Sequence, residues 1–215
     1  MKKYRVKEVF YTLQGEGYYA GKAAVFCRFE GCNLWSGLEK DRAKALCSFC
    51  DTQFVGTDGQ NGGVFTNPKI LATHILSFWK DPNQIPFVVF TGGEPLLQLD
   101  PPLIQNLKNL GNTIISVETN GTIYPPNDID HLCVSPKGNS KCKVIKGDEI
   151  KIAYPQSQIN PKDYEHLEFK HFYLQPIDQP NQLVKEQNIK ITLQYCLDHP
   201  KWKLSLQTHK ILGIH

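Results

Sequence analysis

Phe87-Val88-Val89-Phe90-Thr91-Gly92-Gly93-Glu94-Pro95 is the stretch on which the fold turns. Its first five residues are β-branched or aromatic, the composition of a buried strand. Two glycines, a carboxylate and a proline follow, and these mark a tight turn into the next element. Strand-like runs of similar composition cover residues 24–29, 113–118, 131–135, 149–152, 171–175 and 203–207. Helical spacing falls between several of them. Residues 68–79 follow Thr66-Asn67 and carry Ile70, Leu71, His74, Ile75 and Phe78 on one face; residues 101–110 stop at Gly111; residues 183–197 form a third helix.

Alternating strands and helices predict parallel pairing through right-handed crossovers. Six or seven strands with three or four clear helices fall short of a complete eight-fold barrel. The predicted α/β fold is therefore a partial, open TIM-like barrel. Such folds carry their chemistry at the carboxyl ends of the strands. Here those ends read Thr91-Gly92-Gly93-Glu94-Pro95, Glu118-Thr119-Asn120-Gly121-Thr122, Ser135-Pro136-Lys137 and Gln175-Pro176-Ile177-Asp178, a set that would build one shared pocket. A charged insertion occupies residues 33–46, and residues 58–63 read as a glycine-rich surface loop. No repeat or linker divides the chain, so residues 1–215 are expected to form a single domain.

The bulk numbers narrow the function classes. With 40% apolar and 21% charged residues, the composition is that of a globular protein. A net charge of +3 is too weak to argue for nucleic acid or an anionic membrane surface. No run approaches the roughly 18 apolar residues of a membrane span. The start, Met1-Lys2-Lys3-Tyr4-Arg5-Val6-Lys7-Glu8, turns polar where a signal peptide would stay apolar, and a cytoplasmic location is expected.

Of the seven cysteines, Cys27, Cys32, Cys47 and Cys50 crowd together. An odd count without a secretory signal argues against a disulfide framework. Cys32, Cys47 and Cys50 form C-x14-C-x2-C. That spacing suits zinc with Cys27 as fourth ligand, an iron–sulfur cluster, or a dithiol redox pair at Cys47 and Cys50. Cys27 lies inside a strand pattern, where a free cysteine is commonly a small buried hydrophobe. Three thiolates then remain, and a cubane held by three leaves one iron open to an amino group and a carboxylate. The glycines of the 91–95 turn would let a ligand approach the backbone, and Glu94 could accept from an ammonium group. The plain alternative is a turn that starts the next helix.

At this point the chain resembles the radical S-adenosylmethionine superfamily and, within it, the 7-carboxy-7-deazaguanine synthase family. The residues that carry the likeness are Tyr11-Thr12-Leu13-Gln14-Gly15-Glu16-Gly17, Phe26-Cys27-Arg28-Phe29, Gly31-Cys32-Asn33-Leu34-Trp35, Phe49-Cys50-Asp51-Thr52, the four strand ends without the last, and Gln207-Thr208-His209-Lys210. The superfamily's usual spacing is C-x3-C-x2-C; the long first gap here is shared by a subgroup of the family. The resemblance implies a lyase that rearranges 6-carboxy-5,6,7,8-tetrahydropterin to 7-carboxy-7-deazaguanine in queuosine and 7-deazapurine biosynthesis, with ring contraction and loss of ammonia. It implies a [4Fe-4S] cluster, S-adenosylmethionine and Mg²⁺ as cofactors, with a 5′-deoxyadenosyl radical that removes a hydrogen from the substrate and later returns it. Two alternatives stand beside it: another radical reaction such as glycyl-radical activation, and a zinc-stapled binding module.

By the same resemblance, Cys32, Cys47 and Cys50 ligate the cluster and Thr52 helps bind Mg²⁺. Leu13, Gln14, Gly15 and Thr91 contact the pterin, Arg28 takes its carboxylate or else forms a structural ion pair, and His215 reaches it through the terminal carboxylate or else belongs to a frayed tail. Phe49, Gly93, Ser135, Pro136 and Lys137 line the S-adenosylmethionine site, joined by Gln175, Pro176, Ile177 and Asp178. Glu16, Glu118 and His209 are candidate proton carriers. A homodimer is expected, with an electron donor such as a flavodoxin. Its docking on Lys141, Lys143 and Lys146 competes with the simpler reading of a solvated loop.

Overall fold

The structure is a computed structural model and describes residues 3–214. Among the described residues, nine strands form one sheet: β1 (Tyr4–Leu13), β2 (Ala23–Phe29), β3 (Gly63–Phe65), β4 (Phe87–Gly92), β5 (Ile114–Thr119), β6 (His131–Val134), β7 (Lys146–Tyr154), β8 (Glu168–Pro176) and β9 (Lys203–Leu204). Their order is β3-β1-β2-β4-β5-β6-β7-β8-β9. From β2 onward every pair is parallel, while β1 runs antiparallel to both β2 and β3. The terminal strands β3 and β9 do not pair, so the sheet stays open, as the count of strands and helices implies.

The described residues include four α-helices: α1 (Pro68–Leu76), α2 (Pro101–Gly111), α3 (Gln182–Asp198) and α4 (Thr208–Leu212). Asn67, Asp100 and Asn181 cap the first three by accepting from first-turn N–H groups. α1 ends at Leu76 rather than at residue 79, because Ser77 caps it and turns its hydroxyl onto the His74 carbonyl at 2.7 Å. The stop of α2 is Asn112, held left-handed at φ 47°, and Gly111 is its last helical residue. α1 and α2 pack together, and Leu71, Ile75, Leu103, Ile104 and Leu107 are buried in one core with Val25, Cys27, Val88 and Phe90. Among the described residues, no helix is long and apolar enough to cross a membrane.

Two expected loops are tied down. Residues 58–63 run along the edge of β1, with Val9 N–H donating to Gln60 O at 2.8 Å and Gly59 N–H to Lys7 O at 3.0 Å. Within the insertion, Glu39–Lys44 forms a 3₁₀ turn. Its Arg42 lies over the Trp35 ring at 4.1 Å and donates to the carbonyls of Ser48 and Cys50, at 2.8 and 3.0 Å.

Candidate active site

A cavity of about 490 Å³ opens at the carboxyl ends of the strands. Leu13, Gln14 and Gly15 enter it from the end of β1, Arg28 from β2, and Thr91 and Gly93 from β4 and its turn. Ser135 and Lys137 follow β6; Gln175, Pro176, Ile177 and Asp178 sit at the end of β8. Cys32, Cys47, Phe49, Cys50 and Thr52 form one wall. Of the residues assigned to the substrate, S-adenosylmethionine and metal sites, Pro136 does not line this space, and His215 lies outside the described residues.

The wall of thiols is built from its neighbours. Cys47 hydrogen-bonds Cys50, which draws the Cys50 thiol below its ordinary value against the effect of burial and pushes that of Cys47 up. Leu34 N–H donates to Cys32 Sγ at 3.4 Å. Gly93 packs so closely on this loop that a Cβ would lie 2.2 Å from Gly31 O and 2.6 Å from Cys32 Cβ. Asn120 Nδ2 donates to Asn33 Oδ1 at 2.9 Å, and Asn33 Nδ2 to Thr122 Oγ1 at 2.8 Å, which fastens the loop to the end of β5. Cys27 stands apart: it is fully buried in the core, opposite Phe90, and burial raises its thiol. Among the described residues, no three His, Cys, Asp or Glu side chains are arranged to hold a single metal ion.

Glu94 corrects one expectation. Its carboxylate does not face the cavity, so it is not available to an ammonium ligand. It is fully buried and accepts from Leu96 N–H at 3.0 Å, Thr119 Oγ1 at 2.8 Å and Asn120 N–H at 2.7 Å. Burial raises this carboxyl while those donors oppose the rise. The residue caps the turn Pro95–Leu97 and clamps β4 to β5, as the simpler reading of this turn has it.

Opposite the thiols lies a polar wall centred on Lys151, which the sequence reading missed. The ammonium is 2.5 Å from Glu16 Oε2 and 3.5 Å from Glu118 Oε1. Burial pulls Lys151 down, but the carboxylates of Glu118 and Glu16 outweigh it and hold the ammonium protonated. Burial likewise pushes Glu16 up, yet Lys151 and a hydrogen bond from Gln207 keep it well below the usual carboxylate range. Gln14 is locked in place, donating to Glu118 Oε1 at 2.9 Å and accepting from Glu16 N–H at 3.1 Å. Arg28 Nε pairs with Glu8 Oε1 at 2.7 Å.

The segment from Gln207 to Lys210 roofs the cavity. Thr208 N–H and Oγ1 both donate to Gly15 O, at 3.0 and 2.9 Å, and the His209 ring stands against Gly15. Lys210 Nζ bridges Asp51 Oδ2 at 2.5 Å and Asp178 Oδ2 at 2.7 Å, and Lys185 meets the other Asp178 oxygen at 2.9 Å. Glu16, Glu118 and His209 thus share one space, while Lys141, Lys143 and Lys146 are exposed away from it. The arrangement offers three soft thiol donors, a buried charge cluster and an amide edge in one enclosure.

The chain is 55% identical over 211 residues to the 7-carboxy-7-deazaguanine synthase of Bordetella pertussis, which covers 98% of this chain and 99% of that one. It is 53% identical to the protein of the same name from Caulobacter vibrioides and 51% identical to that from Nitratidesulfovibrio vulgaris, with the same coverage. A crystal structure of QueE from Escherichia coli matches the fold with a TM-score of 0.68, over 95% of this chain and 93% of that one, at 24% identity. No family model matches the chain.

Proposed function

Because the chain belongs to the 7-carboxy-7-deazaguanine synthase family, we propose that its cavity converts 6-carboxy-5,6,7,8-tetrahydropterin to 7-carboxy-7-deazaguanine, with ring contraction and loss of ammonia, in 7-deazapurine and queuosine biosynthesis. The observation that carries this reading is the convergence of three thiols and a polar, charge-paired wall on one cavity of about 490 Å³.

Cys32, Cys47 and Cys50 would hold a [4Fe-4S] cluster. The donor set fits by its chemistry: thiolates are the ligands of iron–sulfur clusters, and all three line the cavity together with Lys137. Cys27, turned into the core, is not available as the fourth zinc ligand, which weighs against a zinc-stapled module. S-adenosylmethionine would lie along Phe49, Gly93, Ser135, Lys137 and the strand end from Gln175 to Asp178. Pro136 would serve there only as backbone between Ser135 and Lys137. Thr52 would offer its hydroxyl to Mg²⁺, which keeps substrate oxygens or water in its remaining positions. Bound together, the cluster and S-adenosylmethionine supply one-electron chemistry that no side chain of the cavity can supply.

The chain's own residues orient the substrate and handle protons. Arg28, steadied by Glu8, pairs with the substrate carboxylate. Gln14 presents an amide of fixed orientation to the pterin edge, beside Leu13, Gly15 and Thr91. Glu16, Glu118 and His209 stand within the same enclosure for proton transfer. The roof from Gln207 to Lys210 excludes water while the ring rearranges. We place the enzyme in the cytoplasm as a homodimer, reduced by a flavodoxin-like donor; Lys141, Lys143 and Lys146 lie along a solvated loop that runs into β7.

Anaerobic reconstitution with iron and sulfide, followed by turnover with S-adenosylmethionine and 6-carboxytetrahydropterin, tests cluster, cofactor and substrate at once. A deazaguanine product is expected. A protein that loads the cluster but forms none would overturn the assigned reaction.

A further inference from the structure

Beneath the cavity floor lies a second polar layer that the steps above leave unused. Glu149 precedes Lys151 on β7 by two residues, so it shares the same face about 7 Å nearer the start of the strand. It is 2% exposed. Its Oε2 accepts from Tyr18 N–H at 3.0 Å, and its register partner on β6 is Cys133, which lines the cavity above. Glu149 Oε1 is set against Gly17, where φ is +64° and a Cβ would lie 2.1 Å from that oxygen. Among the described residues, this oxygen has no hydrogen-bond partner. The same holds for His131 Nε2, on a ring 5% exposed whose Nε2 stands 3.7 Å from Glu149 Oε2. The other ring nitrogen, Nδ1, meets Ser116 Oγ at 3.2 Å.

Buried polar atoms are almost always satisfied, so His131 Nε2, unpartnered beside Glu149 Oε2, calls for an account; the other unpartnered atom, Glu149 Oε1, lies on the Gly17 side of the carboxylate. A bridging water or a short swing of the ring closes a gap of this size. We infer that an ionised Glu149 and a neutral His131 take up between them the one proton that Cys133 passes on, and so act as a proton reserve for the cavity, a role that rests on the reaction proposed there.

The chemistry asks for such a reserve. Making the saturated ring carbon aromatic breaks a C–H bond as a proton, and its electron pair stays in the ring. The departing nitrogen leaves as ammonia and gains a proton. The count balances with no outside acid, provided the first proton is held until the nitrogen takes one. Cys133 can receive a proton at sulfur as its own S–H passes to the Glu149 carboxylate, and the reverse step returns it. Burial raises the Glu149 carboxyl and lowers the His131 ring, which brings acid and base closer in strength and eases transfer between them. The pair is faced by Lys151 and Glu118 from the cavity side, by Cys133 on β6, by Asp148 on β7, by His171 and Tyr173 on β8, and by Tyr18 and Tyr19 after β1.

The test uses Glu149→Gln and His131→Gln in reconstituted enzyme, with turnover followed across pH. Each is expected to slow turnover by about a hundred-fold and to remove a limb of the pH profile, with S-adenosylmethionine binding unchanged. Cys133→Ser should restore part of what Cys133→Ala loses. Wild-type rates and profiles in both Gln variants would overturn the reserve. The protein without cofactors gives a readout independent of turnover: the His131 ring titration, followed by NMR, should move by about one pH unit or more in Glu149→Gln. No movement would overturn the shared proton. Wild-type enzyme that forms no deazaguanine would instead count against the reaction, and the titration would still decide the pair.

Discussion

Replacing Lys151 with methionine keeps the volume of the side chain and removes its charge. Glu16 and Glu118 would then share the buried wall with no cation between them. Breaking a buried ion pair from one side costs about 3–5 kcal/mol, because the carboxylates stay desolvated. For a domain of this size, that is about 6–20 °C in Tm. The effect has a pH signature. Glu16 lies below its ordinary pKa of 4.5 in the folded protein, so its stabilisation is complete above 4.5 and drains away as pH falls toward about 2. In Lys151→Met the same carboxyl moves up instead, and acid relieves the variant. The gap between wild type and variant is therefore widest near neutral pH and narrows below about pH 5. Urea unfolding of the cofactor-free protein at a series of pH values measures it. A gap under about 1 kcal/mol at neutral pH, or one that does not change with pH, would refute the charge-pairing argument.

Glu94→Ala orphans three donors at about 1–3 kcal/mol each, so unfolding free energy should fall by about 3 kcal/mol or more, and Glu94→Gln, which keeps an acceptor, should lose less. Cys27→Ala should cost about 1–2 kcal/mol from its core cavity and leave iron and sulfide loading intact, whereas Cys32→Ala should lose the cluster; equal loading in the two would dissolve the distinction between them. Thr52→Ala should slow turnover and shift its Mg²⁺ dependence, with partial recovery in another divalent metal; kinetics indistinguishable from wild type would set Thr52 aside as a metal ligand.

The parallel strands were legible because each is a short apolar run bounded by turn residues. β1 was not. Its register slips between Val6 and Glu8, and that irregularity breaks the period-two alternation a strand is recognised by. β3 has three residues and α4 five, too few to carry a period. In the site, the thiols and strand ends announced themselves through motifs. Lys151 did not, because Ile150 and Ile152 make its strand read as ordinary core; a lysine between two buried isoleucines was the available signal. Glu94 misled for the opposite reason. It sits in a glycine-rich turn that faces a ligand, but its own side chain is spent on the backbone behind that turn.

The roof contributed by Gln207 to Lys210 also sets an order of events during synthesis. The cysteine loop leaves the ribosome early, together with β1 and β2. The residues that latch onto Gly15, Asp51 and Asp178 follow about 150 residues later, roughly 8 to 30 seconds at cellular rates of translation. Through that interval the segment that roofs the cavity has not yet been made. Delivery of a bulky iron–sulfur cargo would be least hindered then, and arrival of the last helix would close the door behind it.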